Sequence, residues 1–223
     1  MSRFQDHLDD LIHRHPSLLP CIDDISTLAK EMIRSLEQDR FVWICGNGGS
    51  AADADHIAGE LVKSFCIRRR VNETWASALR DKYGEEGEYL AEHLEPGLRV
   101  IPLTGMVSLT SAVANDTGKG DLGFAQQVLA FGQDGDLLLG ISTSGNSASV
   151  AHALRVARLK KIVTAGLTGE TGGQMKRLCD VMVKVPSQTT HVVQEMHLPV
   201  YHTLCLIVED HFYGGNSSLS LPR

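Results

Sequence analysis

The stretch Phe41-Val-Trp-Ile-Cys-Gly-Asn-Gly-Gly-Ser50 decides the fold. Five apolar residues run without alternation into a glycine-rich turn. A helix-forming run, Ala51-Ala-Asp-Ala-Asp-His-Ile-Ala-Gly-Glu-Leu61, follows at once. An unbroken apolar strand is buried on both faces, as in parallel sheets covered by helices. The turn also offers backbone N–H groups at a helix N-terminus, where an anion is stabilised. A second stretch repeats the design: Asp136-Leu-Leu-Leu-Gly-Ile-Ser-Thr-Ser-Gly-Asn-Ser147. It sets four hydroxyls (Ser142, Thr143, Ser144 and Ser147) within six residues after a strand. In open parallel sheets that edge is where ligands bind. Together the two loops point to a phosphate rather than to plain turns.

Outward from these loops, strands alternate with helices. Strands are expected at 41–45, 99–103, 137–141, 162–167 and 181–185. Helices are expected at 50–64, 108–115, 124–131, 147–159, 174–178 and 192–212, with short helices in a polar surface excursion over 68–97. This alternation predicts an α/β fold, a three-layer sandwich around a parallel sheet. Residues 1–40 read as a helical arm broken near Pro16 and Pro20, residues 41–213 as the sheet domain, and 214–223 as a flexible tail. The arm carries an apolar stripe (Ile25, Leu28, Met32, Leu36) that must be covered by the sheet domain or by another copy of the chain.

Composition narrows the function. The net charge of −6 leaves no electrostatic footprint for nucleic acid, and Arg68-Arg-Arg70 is too short to supply one. No segment has the roughly 20 apolar residues of a membrane span. Five cysteines without CxxC spacing argue against a disulfide framework and for a reduced, cytoplasmic setting.

Gly46-Asn-Gly-Gly-Ser-Ala51 also satisfies G-x-G-x-x-A. The dinucleotide fingerprint needs an acidic residue about 20 positions on, after a strand. The chain offers Phe65-Cys-Ile-Arg-Arg-Arg70 there instead, so the fingerprint is not met. His56 and Glu60 stand four apart and share a helix face. Such a pair is commonly a surface hydrogen bond, but imidazole and carboxylate are also zinc ligands. On the last helix Gln194 and His202 fall on nearly one side, with His197 and Glu195 as competing candidates. Spacing does not choose between His197 and His202. Pro199 in this helix removes one backbone hydrogen bond. Asn115-Asp116 reads either as a turn or as a sugar-hydroxyl contact at a helix–loop junction.

Taken together, four segments resemble the sugar isomerase (SIS) domain family, in its phosphoheptose isomerase branch. They are Cys45–Leu61, Asn115-Asp116, Gly140–Ser147 and Gln194–His202. The resemblance spans about 20–212 and implies a flavodoxin-like fold. Enzymes of that branch interconvert sedoheptulose 7-phosphate and D-glycero-D-manno-heptose 7-phosphate. The resemblance implies Zn2+ on His56, Glu60, Gln194 and His202, which favours His202 over His197. It implies substrate contacts from Asn47, Gly48, Gly49, Glu60, Asn115, Asp116, Ser142, Thr143, Ser144, Ser147 and Gln194. Glu60 and His202 would carry the proton transfers, on a phosphorylated seven-carbon sugar, in a homotetramer. A non-catalytic branch, the DnaA initiator-associating proteins, shares the architecture, but the full set His56, Glu60, Gln194 and His202 favours the enzyme. A phosphosugar-sensing regulatory domain ranks lower, because the arm lacks a basic face. The chain departs from the family pattern in its long 75–97 segment, in Thr117-Gly-Lys-Gly-Asp121, and in His191.

Overall fold

Val42–Cys45 forms strand β1, and all four residues are buried. Val42 and Ile44 enter one hydrophobic core, and Trp43 and Cys45 enter another. Side chains alternate across a strand, so an unbroken apolar run feeds two helix layers at once. A computed structural model describes residues 3–215 of the chain. The other strands are β2 (Val100–Pro102), β3 (Leu137–Ser142), β4 (Val163–Gly169) and β5 (Val181–Val185). All pair in parallel, in the order β2-β1-β3-β4-β5.

The helices are α1 (Phe4–Arg14), α2 (Ile22–Glu37), α3 (Gly49–Val62), α4 (Glu73–Tyr83), α5 (Glu85–His93), α6 (Val107–Thr117), α7 (Gly123–Phe131), α8 (Ala148–Leu159) and α9 (Thr190–Tyr213). Helices α1, α2, α3 and α9 share the core on one sheet face; α7 and α8 share the other. The α/β three-layer architecture expected from the sequence is the one found.

The apolar stripe of the N-terminal arm is covered within the chain. Leu11, Ile25, Leu28 and Met32 are fully buried in the same core as Val208 of α9 and Val183 of β5. Each such side chain contributes about 1.5–3 kcal/mol relative to exposure. The arm and the sheet therefore form one core, and the stripe itself makes no demand for a second copy.

Most boundaries shift by a residue or two, and three local differences bear on the site. The helix expected to end before Asp116 continues to Thr117 and stops at Gly118, whose φ of 67° is left-handed. Asn115 and Asp116 therefore sit in the last helical turn, at the helix–loop junction expected for them. Strand β4 continues through Gly169, because Thr168 still pairs with Ser142 and Gly169 with Val185. Helix α9 runs unbroken through Pro199, where Thr203 Oγ1 donates to the Pro199 carbonyl at 2.9 Å. The 68–97 excursion is a helical hairpin of α4 and α5 that returns to the end of α3. There Leu98 N donates to the Leu61 carbonyl at 3.0 Å. The tail expected beyond Gly214 lies, from residue 216 onward, outside the described residues.

Candidate active site

The sheet reverses direction of growth between β1 and β3, which is the switch point where parallel sheets of this strand order open a ligand crevice. Both glycine- and hydroxyl-rich loops leave the sheet there, since Cys45 of β1 pairs with Gly140 of β3. In the first loop Gly48 has φ 57° and ψ −122°, a conformation that side chains other than glycine rarely adopt. Asn47 ties the two loops together. Its Nδ2 donates to Ser147 Oγ at 2.8 Å and to Ser149 Oγ at 2.9 Å. The second loop is held by a turn, Gly145 N to the Ser142 carbonyl at 3.0 Å, and by Gly169 N on the Thr143 carbonyl at 2.9 Å. Asn146 N donates to Ser144 Oγ at 3.2 Å. Ser142 is buried, Thr143 and Ser147 are half-buried, and Asn47, Gly48, Gly49 and Ser144 are exposed. The loops thus present a rigid, N–H- and hydroxyl-lined edge suited to an anion.

Helices α3 and α9 run side by side in the same direction. A Cβ on Gly49 would overlap the Gln194 amide, His56 meets Tyr201 and His202, and Glu209 reaches Phe65, Cys66 and Ile67. The middle of this pair carries a titratable cluster. His56 Nε2 lies 2.9 Å from Glu60 Oε1, and His202 Nε2 lies 3.5 Å from the same oxygen. The two imidazoles stand edge-on at 5.2 Å between centroids. One ligand atom from each of His56, Glu60 and His202 falls within 4.8 Å of the others. Glu60 Oε2 and His202 Nε2 are buried without a hydrogen-bond partner. Two imidazoles and a carboxylate with unfilled lone pairs fit a divalent metal such as zinc. Burial lowers the His202 pKa, opposed by the Glu60 carboxylate and helped by the His56 imidazole.

Not every predicted residue joins this cluster. Gln194 lies two helical turns before His202 on α9, against Gly49 of the first loop, and is half-buried. His197, the rival of His202, is fully buried in the core, where desolvation pulls its pKa down to about 4. Glu195 is exposed. Asn115 and Asp116 are exposed on α6, and Asn115 Nδ2 donates to Asp116 Oδ1 at 3.1 Å. No residue of α6 is buried within the chain. Sequence reading missed the surroundings of the cluster. The Tyr201 hydroxyl lies 3.1 Å from His56 Nδ1, and the Phe65 ring lies 5.6 Å from that of His202. Cys205 is buried one turn on; desolvation and then Glu60 push its thiol far up. An available signal was the spacing Asp53–His56, three apart on the face that carries the site.

Models of the SIS domain match residues 20–91 and 112–208. The phosphoheptose isomerase of Aneurinibacillus thermoaerophilus is 39% identical over 193 residues, covering 86% of this chain and 82% of that protein. The structure of phosphoheptose isomerase GmhA from Neisseria gonorrhoeae matches with a TM-score of 0.70 at 30% identity, over 93% of this chain and 97% of that one. A phosphoheptose isomerase from Francisella tularensis matches with a TM-score of 0.71 at 28% identity, over the same shares, 93% and 97%. Likeness of this extent, over both loops and both helices of the site, decides the family. The chain belongs to the SIS domain family and, within it, to the phosphoheptose isomerases, a family of enzymes.

Proposed function

We propose that the chain converts sedoheptulose 7-phosphate to D-glycero-D-manno-heptose 7-phosphate, with zinc held by His56, Glu60, Gln194 and His202. That it is a phosphosugar isomerase follows from its family. The observation that carries the finer reading is the cluster itself. Its carboxylate has one oxygen shared between two imidazoles and the other without a partner.

Aldose–ketose isomerisation moves a proton between neighbouring carbons through an enediol. It needs a base at carbon and an acid at oxygen, both within hydrogen-bond reach. Glu60 removes the proton from the hydroxyl-bearing carbon beside the ketose carbonyl, and His202 delivers a proton to the carbonyl oxygen. The enediol then takes the proton back from Glu60 at the former carbonyl carbon, while His202 accepts one from the neighbouring hydroxyl. Glu60 has an oxygen for each duty: Oε1 is engaged with the imidazoles and Oε2 is open to accept a proton. Bound zinc supplies Lewis-acid polarisation of the sugar oxygens. The loops Asn47–Gly49 and Ser142–Ser147 hold the phosphate and so fix the reacting carbons. Gln194, beside Gly49, stands between the two parts of the site.

Asn115 and Asp116 enter this reading through a homotetramer, whose packing would cover α6. The setting is the cytoplasm, in keeping with five cysteines that all remain free thiols. Among the described residues no helix is long and apolar enough to cross a membrane.

The test follows sedoheptulose 7-phosphate by NMR with the purified protein, with zinc and after chelation. We expect aldose phosphate to form only with zinc. No conversion by a metal-loaded tetramer would assign another phosphosugar. No conversion and no metal affinity would make the chain a scaffold.

A further inference from the structure

We propose that Ser149 is a positioning residue for the phosphate: its hydroxyl donates to Ser147 Oγ and so turns the Ser147 proton toward the anion. The inference rests on the reading of the Ser142–Ser147 loop as the phosphate site and adds the residue that orients one of its hydroxyls.

Asn47, Ser147 and Ser149 form a closed triangle of hydrogen bonds. Asn47 Nδ2 donates to Ser147 Oγ at 2.8 Å and to Ser149 Oγ at 2.9 Å, and the two hydroxyl oxygens lie 3.2 Å apart. Ser149 is buried in the first turn of α8. Ser147 holds the N-cap position of that helix, where a serine oxygen ordinarily accepts from a first-turn backbone N–H. Here it makes no such bond. Its oxygen is turned to Asn47 and Ser149 instead, and the first-turn N–H groups of α8 are left without a side-chain cap.

A hydroxyl has one proton and two lone pairs. Ser149 Oγ receives a proton from Asn47, and a buried hydroxyl must also place its own. Of its partners among the described residues, Asn47 Nδ2 can only donate, so the acceptor for that proton is Ser147 Oγ. Ser147 Oγ then receives two protons, one from Asn47 and one from Ser149, and both of its lone pairs are taken. It cannot cap its own helix, and toward anything else it can only donate. An ionised phosphate oxygen only accepts. A hydroxyl locked as a donor beside uncapped helix N–H groups is matched to it. Without Ser149, Ser147 regains a lone pair and can turn back onto α8, where it competes with the anion for the same N–H groups.

The test titrates inorganic phosphate into the purified protein by calorimetry and compares wild type with Ser147→Ala, Ser149→Ala and the double variant. Ser147→Ala should weaken phosphate by about tenfold and Ser149→Ala by about threefold. The double variant should bind like Ser147→Ala alone, because Ser149 then has nothing left to orient. Ser149→Ala should also raise KM for sedoheptulose 7-phosphate about threefold at unchanged kcat. Its thermal melt should not fall, since alanine suits a helix at least as well as serine. Wild-type phosphate affinity in Ser149→Ala, alongside a loss in Ser147→Ala, would overturn the proposal. Additive losses in the double variant would overturn it too, since Ser149 would then touch the anion itself. If wild type binds no phosphate, or neither variant changes its affinity, the phosphate reading of the loop fails and takes the proposal with it.

Discussion

Helices α3 and α9 bring together two carboxylates that have opposite fates. Glu209, near the C-terminal end of the pair, is closed on every side. It accepts from the backbone N–H groups of Phe65, Cys66 and Ile67 at 2.8, 2.7 and 3.1 Å and from Arg69 at 2.9 Å. Arg69 in turn donates to the carbonyls of Leu61 and Pro96, and its guanidinium lies 4.1 Å above the Tyr213 ring. Its Nε is the one polar atom of this pair without a partner. Glu60, in the last turn of α3, has Oε1 between two imidazoles and Oε2 without a hydrogen-bond partner. Buried charge is costly unless matched, so a carboxylate with every lone pair filled is built for the fold. One left partly open at a crevice is built for something that arrives later.

The contrast breaks first at Glu60. We expect Glu60→Gln to lower kcat by about 10²- to 10⁴-fold while the thermal melt stays that of wild type. Wild-type turnover in that variant would end the assignment of Glu60 as base. Glu209→Gln should do the reverse. It strands the buried Arg69 charge, which typically costs 3–5 kcal/mol and is read as a lower urea midpoint. Lost zinc affinity with an unmoved midpoint would erase the distinction between the two carboxylates.

His197 sharpens the comparison with His202, because both are imidazoles of α9, the first fully buried and the second half-buried, and only His202 joins the cluster. Burial brings the His197 pKa from 6.5 to about 4. The unfolded chain gains a proton near pH 6.5, whereas the folded chain resists until about pH 4. The stability is therefore complete above pH 6.5 and drains away as the pH falls toward 4. At 1.36 kcal/mol per unit the loss is on the order of 3 kcal/mol. Urea unfolding at neutral and acid pH should show it in wild type and not in His197→Leu. The smallest effect belongs to the loops. Ser144→Ala removes one hydroxyl from the proposed phosphate site and should raise KM about tenfold with kcat unchanged. A change confined to kcat would give the loop another duty.

The apolar runs at 42–45 and 137–141 gave their strands away because a doubly covered parallel strand needs no alternation. The two loops were legible for a related reason. Glycine, serine and asparagine are the residues that free backbone groups and hydroxyls at a strand end, so their chemistry is written locally. His56 and Glu60 were legible as a pair, because helical spacing alone places them on one face. The helical arm was legible as helix but not as to what covers it, since an amphipathic stripe states only that something must.

The sequence by itself determined the elements, the phosphate-suited loops and the His56–Glu60 pair, all features set by neighbours within a few residues. Spacing left open which histidine of α9 meets that pair; the family resemblance favoured His202, and the tertiary structure brings it there. It put His202 beside Glu60 and His197 in the core, joined Asn47 to Ser147 and Tyr201 to His56, and filled the lone pairs of Glu209 while leaving Glu60 Oε2 open. These contacts span about a hundred residues or more of chain, and they depend on how α3 and α9 are packed in register, a quantity that no local pattern encodes.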